Sequence, residues 1–145
     1  MASEEEKKHE ELKEKYVELQ LIGEQIKQLQ QQAQVLEEQS VELTMTLQGL
    51  EDLEKTTQDK EILVPISTGI FTKAQLKAGQ GLIVNVGGNI LVKKDVKTTI
   101  EMTKDRIETV EQYQKGTLQN LQTLATRANE LDEELTKLTQ ELKKE

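Results

Sequence analysis

Apolar residues recur at alternating spacings of three and four along residues 12–50 and again along 100–142. With Leu19 as an a position the first series runs Leu19, Ile22, Ile26, Leu29, Ala33, Leu36, Ser40, Leu43, Leu47, Leu50, and nine of these ten are apolar. The second runs Ile100, Thr103, Ile107, Val110, Gln114, Thr117, Leu121, Leu124, Ala128, Leu131, Leu135, Leu138, Leu142. Glu and Gln fill most intervening positions and no proline interrupts either series, so each predicts a continuous helix with a coiled-coil seam. At about 1.5 Å per residue each helix is roughly 65–75 Å long. Gly23, Gly49 and Gly116 lie off the seam and read as tolerated, with bending expected near Gly116.

Between the two series the period changes from 3.5 to 2. Ile70, Thr72, Ala74 and Leu76 alternate with Phe71, Lys73 and Gln75, and Leu82, Val84 and Val86 alternate with Ile83 and Asn85. This predicts four half-buried strands near 61–66, 70–77, 82–86 and 89–94. A two-residue turn is expected at Gly87 and Gly88, with further turns at 67–69 and 78–81. Pro65 has no amide hydrogen to give to a ladder and belongs on an edge.

Helix, four strands and helix in one chain define an α+β architecture: an antiparallel coiled-coil hairpin with two β-hairpins at its root. A single domain over 1–145 is expected, divided into a first helix (1–54), a β region (55–97) and a second helix (98–145). One antiparallel register faces a against d along the full length, with opposed residue numbers adding to about 150. It sets Leu50 against Ile100, Ile26 against Leu124 and Leu19 against Leu131, and places the polar Gln114 and Thr117 against Leu36 and Ala33. At the open end Leu12 meets Leu138, but Leu135 meets Lys15 and Leu142 meets Lys8.

Those unmatched leucines are either frayed heptad ends or apolar surface offered to another protein. On the second reading the contact residues are Leu12, Tyr16, Leu135, Leu138 and Leu142. Four short strands cannot bury an apolar face unaided and leave open edges. Oligomerisation through the root is therefore expected, carried by Ile62, Val64, Ile66, Ile70, Phe71, Leu82, Val84, Val86, Ile90 and Val92.

Composition narrows the function classes. Of the 145 residues 34% are hydrophobic, 2% aromatic and 32% charged, which fits extended helices better than a large globular core. The net charge of -8 divides unevenly: residues 1–54 carry -9, residues 55–97 carry +4 and residues 98–145 carry -3. Acidic arms repel phosphate, so nucleic-acid binding is not expected. A nucleic-acid-binding or transferase appendage acting through the basic root is the weaker rival, since only Phe71 offers a stacking ring there.

There is no cysteine and one histidine, His9, so neither a catalytic triad nor a histidine or thiolate metal site can be assembled. The 78–81 segment, Ala-Gly-Gln-Gly, lacks the third glycine of a dinucleotide loop, having Val84 there, and precedes a strand. No enzyme, cofactor or metal is expected. No run approaches a membrane span or signal peptide, which leaves a cytoplasmic, non-membrane protein as the expectation.

The β region carries a closer likeness. Ile62-Leu63-Val64-Pro65-Ile66, then Gly69-Ile70-Phe71-Thr72-Lys73-Ala74, then Val84-Asn85-Val86-Gly87 resemble the strand signature of the prefoldin family, and two hairpins in the connector resemble its α class. Asn89 departs from the pattern, since many relatives place a glycine there. The resemblance implies a hexamer of two α and four β subunits joined by strands in inter-subunit β-barrels. It also implies an ATP-independent chaperone whose coiled-coil tips bind non-native polypeptides, prevent aggregation and transfer them to a group II chaperonin. The alternative is a structural coiled-coil adaptor that oligomerises through its β region and binds one folded partner.

Overall fold

The computed structural model describes residues 3–144. The elements, in order, are α1 (Glu4–Glu54), β1 (Lys60–Ser67), β2 (Ile70–Leu76), β3 (Leu82–Asn85), β4 (Leu91–Lys94) and α2 (Val96–Lys144). Two compact units form: residues 3–38 together with 111–144, and Gln39–Val110. Each holds a stretch of both helices, and the second also holds all four strands.

Both helices begin on side-chain caps. The Ser3 hydroxyl accepts from the Glu6 amide at 3.2 Å while the Glu6 carboxylate accepts from the Ser3 amide at 3.3 Å, a reciprocal capping box. For α2 the cap is Asp95, whose Oδ1 accepts from the Thr98 amide at 2.7 Å. Hydrogen bonding from the Thr98 side chain, and after it from the Thr98 amide, holds the Asp95 carboxyl below its ordinary value, because a hydrogen bond to the charged form favours it. Asp95 alone separates β4 from α2, whereas five residues separate α1 from β1.

The helices pack as an antiparallel hairpin in the register expected from the heptads. In the first unit Lys15 bonds Glu134, Glu18 bonds Arg127 and Glu37 bonds Gln114, so residue numbers rise on one helix as they fall on the other. Every heptad position of both series is buried or half-buried, from Leu12 to Leu50 and from Ile100 to Leu142. Leu131 is wholly enclosed, and Ile22, Leu36 and Ile100 are close to it in burial. The full burial of a leucine stabilises by about 1.5–3 kcal/mol.

Polar seam positions are absorbed locally. Thr99 and Thr103 are buried, and their hydroxyls donate to the carbonyls of Asp95 and Thr99, each at 2.8 Å. Bonded back in this way, a threonine presents its methyl to the seam. Gln114 reaches out of the seam to Glu37 Oε2 at 3.2 Å. Among the described residues no buried side-chain nitrogen or oxygen lacks a partner. α2 passes Gly116 as one continuous helix.

The strands form two separate antiparallel hairpins, β1–β2 and β3–β4. In the first, Ile62 opposes Ala74, Val64 opposes Thr72 and Pro65 opposes Phe71, and the register slips by one residue between Pro65 and Ser67. In the second, Val84 opposes Val92 and Asn85 opposes Leu91. Two expectations are corrected. The turn of β3–β4 is centred on Gly88 and Asn89, with φ of 57° and 61° and the Ile90 amide bonded to the Gly87 carbonyl at 3.0 Å. Val86 also donates to the Ile90 carbonyl, so Val86 and Gly87 share one opposite neighbour and form a bulge. Asn tolerates the left-handed region better than most residues, which accounts for Asn89 where glycine was anticipated.

The second correction concerns burial. Strands β3 and β4 alternate between half-buried and exposed as a one-sided sheet should, but every residue of β1 is exposed. One face of β1–β2 carries Ile62 and Val64, the other Leu63, Pro65 and Phe71. Among the described residues of this hairpin only Ala74 and Leu76, on the Ile62 face of β2, are half-buried.

Candidate functional site

The open end of the first unit contains a groove between the start of α1 and the end of α2. Its floor is seam leucine: Leu12, Leu19 and Leu135 line it, all half-buried. The rim carries Tyr16 and Val17, 57% and 48% exposed, so the phenol and the isopropyl group stand out toward solvent. His9, Lys13, Asp132, Thr136, Thr139, Gln140 and Lys143 complete the polar border. The volume is about 870 Å³ and the groove is open along its length.

The groove exists because the seam changes character here. Lys15 occupies a heptad position, and its side chain is only 22% exposed. Its stem lies in the seam while Nζ snorkels out to Glu134 Oε2 at 2.6 Å and Glu11 Oε1 at 3.2 Å. The bond to Glu134 raises the Lys15 pKa, and the reciprocal bond lowers that of Glu134. Arg127 grips Glu18 through Nε at 3.0 Å and Nη2 at 3.3 Å, and lies 3.4 Å from Glu130. Further out, Lys8 pairs with Glu141 at 3.7 Å. Charge pairs therefore cross between the helices on either side of Lys15, whose stem interrupts the leucine layers.

Of the five residues expected at this end, Leu12, Tyr16 and Leu135 line the groove. Leu138 and Leu142 are half-buried seam positions and do not line it. Val17 and Leu19 join the lining, because the groove is a product of helix pairing and collects residues from successive turns that the heptad reading assigns to different faces.

The second candidate surface is the root. Ile62, Val64, Ile66, Ile70, Phe71, Val86 and Ile90 are exposed, whereas Leu82, Val84 and Val92 are the half-buried set on the covered face of β3–β4. The most exposed apolar residues on the outer face of that hairpin are Ile83 and Leu91, at 74% and 64%, and Leu63 on β1 is 63% exposed. Strand alternation could have identified all three, had both sheet faces been taken as uncovered. This much apolar surface on two small hairpins exceeds what isolated solvent-facing residues explain, and is of the kind that another protein would cover.

No three His, Cys, Asp or Glu residues among those described are grouped to hold a metal ion, and no described helix is long and apolar enough to cross a membrane. What the two units do offer is apolar surface: a cleft in the first and bare strands in the second.

Comparison with known proteins agrees with this architecture. The family model Prefoldin, described as prefoldin subunit, matches residues 22–141. Prefoldin subunit alpha of Archaeoglobus fulgidus is 30% identical over 125 residues, 86% of this chain and 91% of the relative. Prefoldin subunit alpha of Methanococcus vannielii is 27% identical over 94% of this chain and 86% of its own. Among solved structures, the cryo-EM structure of filamentous PFD from Methanocaldococcus jannaschii shares the fold with a TM-score of 0.69 at 20% identity, covering 79% of this chain and 95% of that one.

Proposed function

The chain belongs to the prefoldin subunit family, and from that premise we propose that it is an α-type subunit of a chaperone that holds non-native polypeptides in its terminal groove without nucleotide. The observation that carries this reading is the groove itself: leucine floor, exposed Tyr16 and Val17, an open outline and a mixed polar border. An open apolar cleft binds weakly and with little selectivity, which suits a ligand defined only by exposed hydrophobic segments. Several such clefts in one assembly raise the effective affinity through multivalency while each contact stays easy to release.

The bare hairpins supply the means of gathering them. Strands β1–β4 would join β-type subunits, giving two α and four β chains around β-barrels of shared strands, and the cargo would pass to a group II chaperonin in the cytoplasm. The role is binding and transfer, with no covalent step and no cofactor.

The test is a Tyr16→Ser, Val17→Ser, Leu135→Ser variant in the intact assembly. It should lose most of the parent's capacity to suppress aggregation of several unrelated unfolded proteins without ATP, while mass and helicity stay unchanged. Undiminished suppression would remove the groove from the mechanism. Binding confined to one folded protein would favour the adaptor reading.

A further inference from the structure

Midway along the first unit the coil loses its charge on both helices at the same level. Residues 25–36 of α1 contain one charged side chain, Lys27, and residues 116–126 of α2 contain none, in a chain that is 32% charged. The antiparallel register brings these segments side by side, so the neutral stretch encircles the coil. Glu24, Glu37, Lys115 and Arg127 bound it.

Within this belt lies a second groove of about 370 Å³. Its floor is Leu29 and Leu124, both half-buried in the seam, and its walls are the amides Gln25, Gln28, Gln32 and Asn120. Each amide carries an acceptor and two donors, as a peptide main chain carries both, whereas a lysine only donates and a carboxylate only accepts. Such walls can bond a main chain whatever its side chains are.

The same face carries exposed apolar residues on either side. Leu21 and Val35 stand seven residues before and after Gln28, and Tyr113 stands seven before Asn120. Their exposures are 55%, 52% and 61%. Seven residues are close to two helical turns, so all three share the groove's side of the coil. From Leu21 to Val35 is roughly 21 Å of helix, a length that an extended chain covers in about six or seven residues.

We propose that this amide-walled groove is a second polypeptide-binding site, taking an extended, uncharged segment of the non-native chain through its backbone, with apolar side chains resting on Leu21, Val35 and Tyr113. The inference rests on the chaperone reading above and deepens it. The terminal groove captures by hydrophobic contact, and the belt, on the opposite flank of the seam, holds a different stretch of the same chain.

The experiment uses the full chain in its assembly, with a photo-crosslinking residue at position 16, 28 or 108, and a reduced and alkylated, permanently unfolded protein as probe. Crosslinking to the probe at both 16 and 28, and not at the outward position 108, is the expected result. Gln28→Ala with Gln32→Ala should also weaken probe binding about three- to tenfold, the loss of one or two net hydrogen bonds, with helicity unchanged. Crosslinking at 16 alone would overturn the second site and leave the terminal groove standing. Crosslinking at neither position would overturn both. If position 28 crosslinks to another subunit of the assembly, the belt is a contact between subunits and the proposal fails.

Discussion

Lys15 Nζ lies 2.6 Å from Glu134 Oε2 across the helix pair, at a level of the seam where a leucine would ordinarily sit. The bond lowers the pKa of Glu134 from its ordinary 4.5 and raises that of Lys15 from 10.5. The carboxylate's contribution to stability is therefore present above about pH 4.5 and lost as pH falls through its depressed folded value. The lysine's contribution is whole below 10.5 and lost as pH rises through its raised value. The Tm difference between the parent and Glu134→Gln should be flat between these limits and shrink beyond either. Both groups are solvent-accessible, so the difference should also shrink between ~0.01 M and ~1 M salt, as the Debye length falls from about 30 to 3 Å.

Leu131 is fully enclosed and Leu118 is 58% exposed on the same helix. Leu131→Ala should destabilise by about 2–5 kcal/mol, the lost transfer energy plus the cavity. Leu118→Ala should stay within about 0.5 kcal/mol of the parent. Urea unfolding followed by circular dichroism at 222 nm measures both.

The glycines divide by backbone conformation. Gly23 and Gly49 are helical, and a Cβ added to either meets nothing within 4 Å, so Gly23→Ala and Gly49→Ala should each stabilise by roughly 0.5–1 kcal/mol. Gly81 has φ of +74°, and a Cβ there would lie 3.1 Å from the Lys94 carbonyl oxygen. Gly81→Ala should destabilise, and the loss should appear as faster amide exchange in β3–β4, while residues 3–38 keep the parent's protection.

Ile83 and Leu91 are the outward apolar residues of β3–β4. Ile83→Lys with Leu91→Lys should shift the mass measured by light scattering toward the single chain while the helical signal at 222 nm persists. An unchanged mass would show that subunits join through other residues.

Much of this fold is legible in the sequence because a heptad is a statement about contact. The residues assigned to the seam are the ones the structure covers, including the polar Thr103 and Thr117. Thr103 fits because its hydroxyl bonds the helix's own backbone, which hydropathy does not register. The strands were legible as strands, but their covered face was not: alternation implies that something lies against one side, and every residue of β1 is exposed. The terminal groove was partly legible. Lys15 against Leu135 marked where the seam is interrupted, yet the inclusion of Val17 and Leu19 depends on how two helices pair in space, which no spacing along one helix encodes.

The two hairpins differ in how they are mounted. Asp95 is at once the whole connection from β4 and the cap of α2, bonded to Thr98, so any torque on β3–β4 passes into the helix within one residue. β1 follows α1 by five residues, the last of which, Asp59, accepts from the Ala78 amide at 3.1 Å, so this connection is tied to the far end of β2 and not to the helix. A subunit docked on β3–β4 would set the bearing of α2, whereas one docked on β1–β2 would be held as if on a short strap.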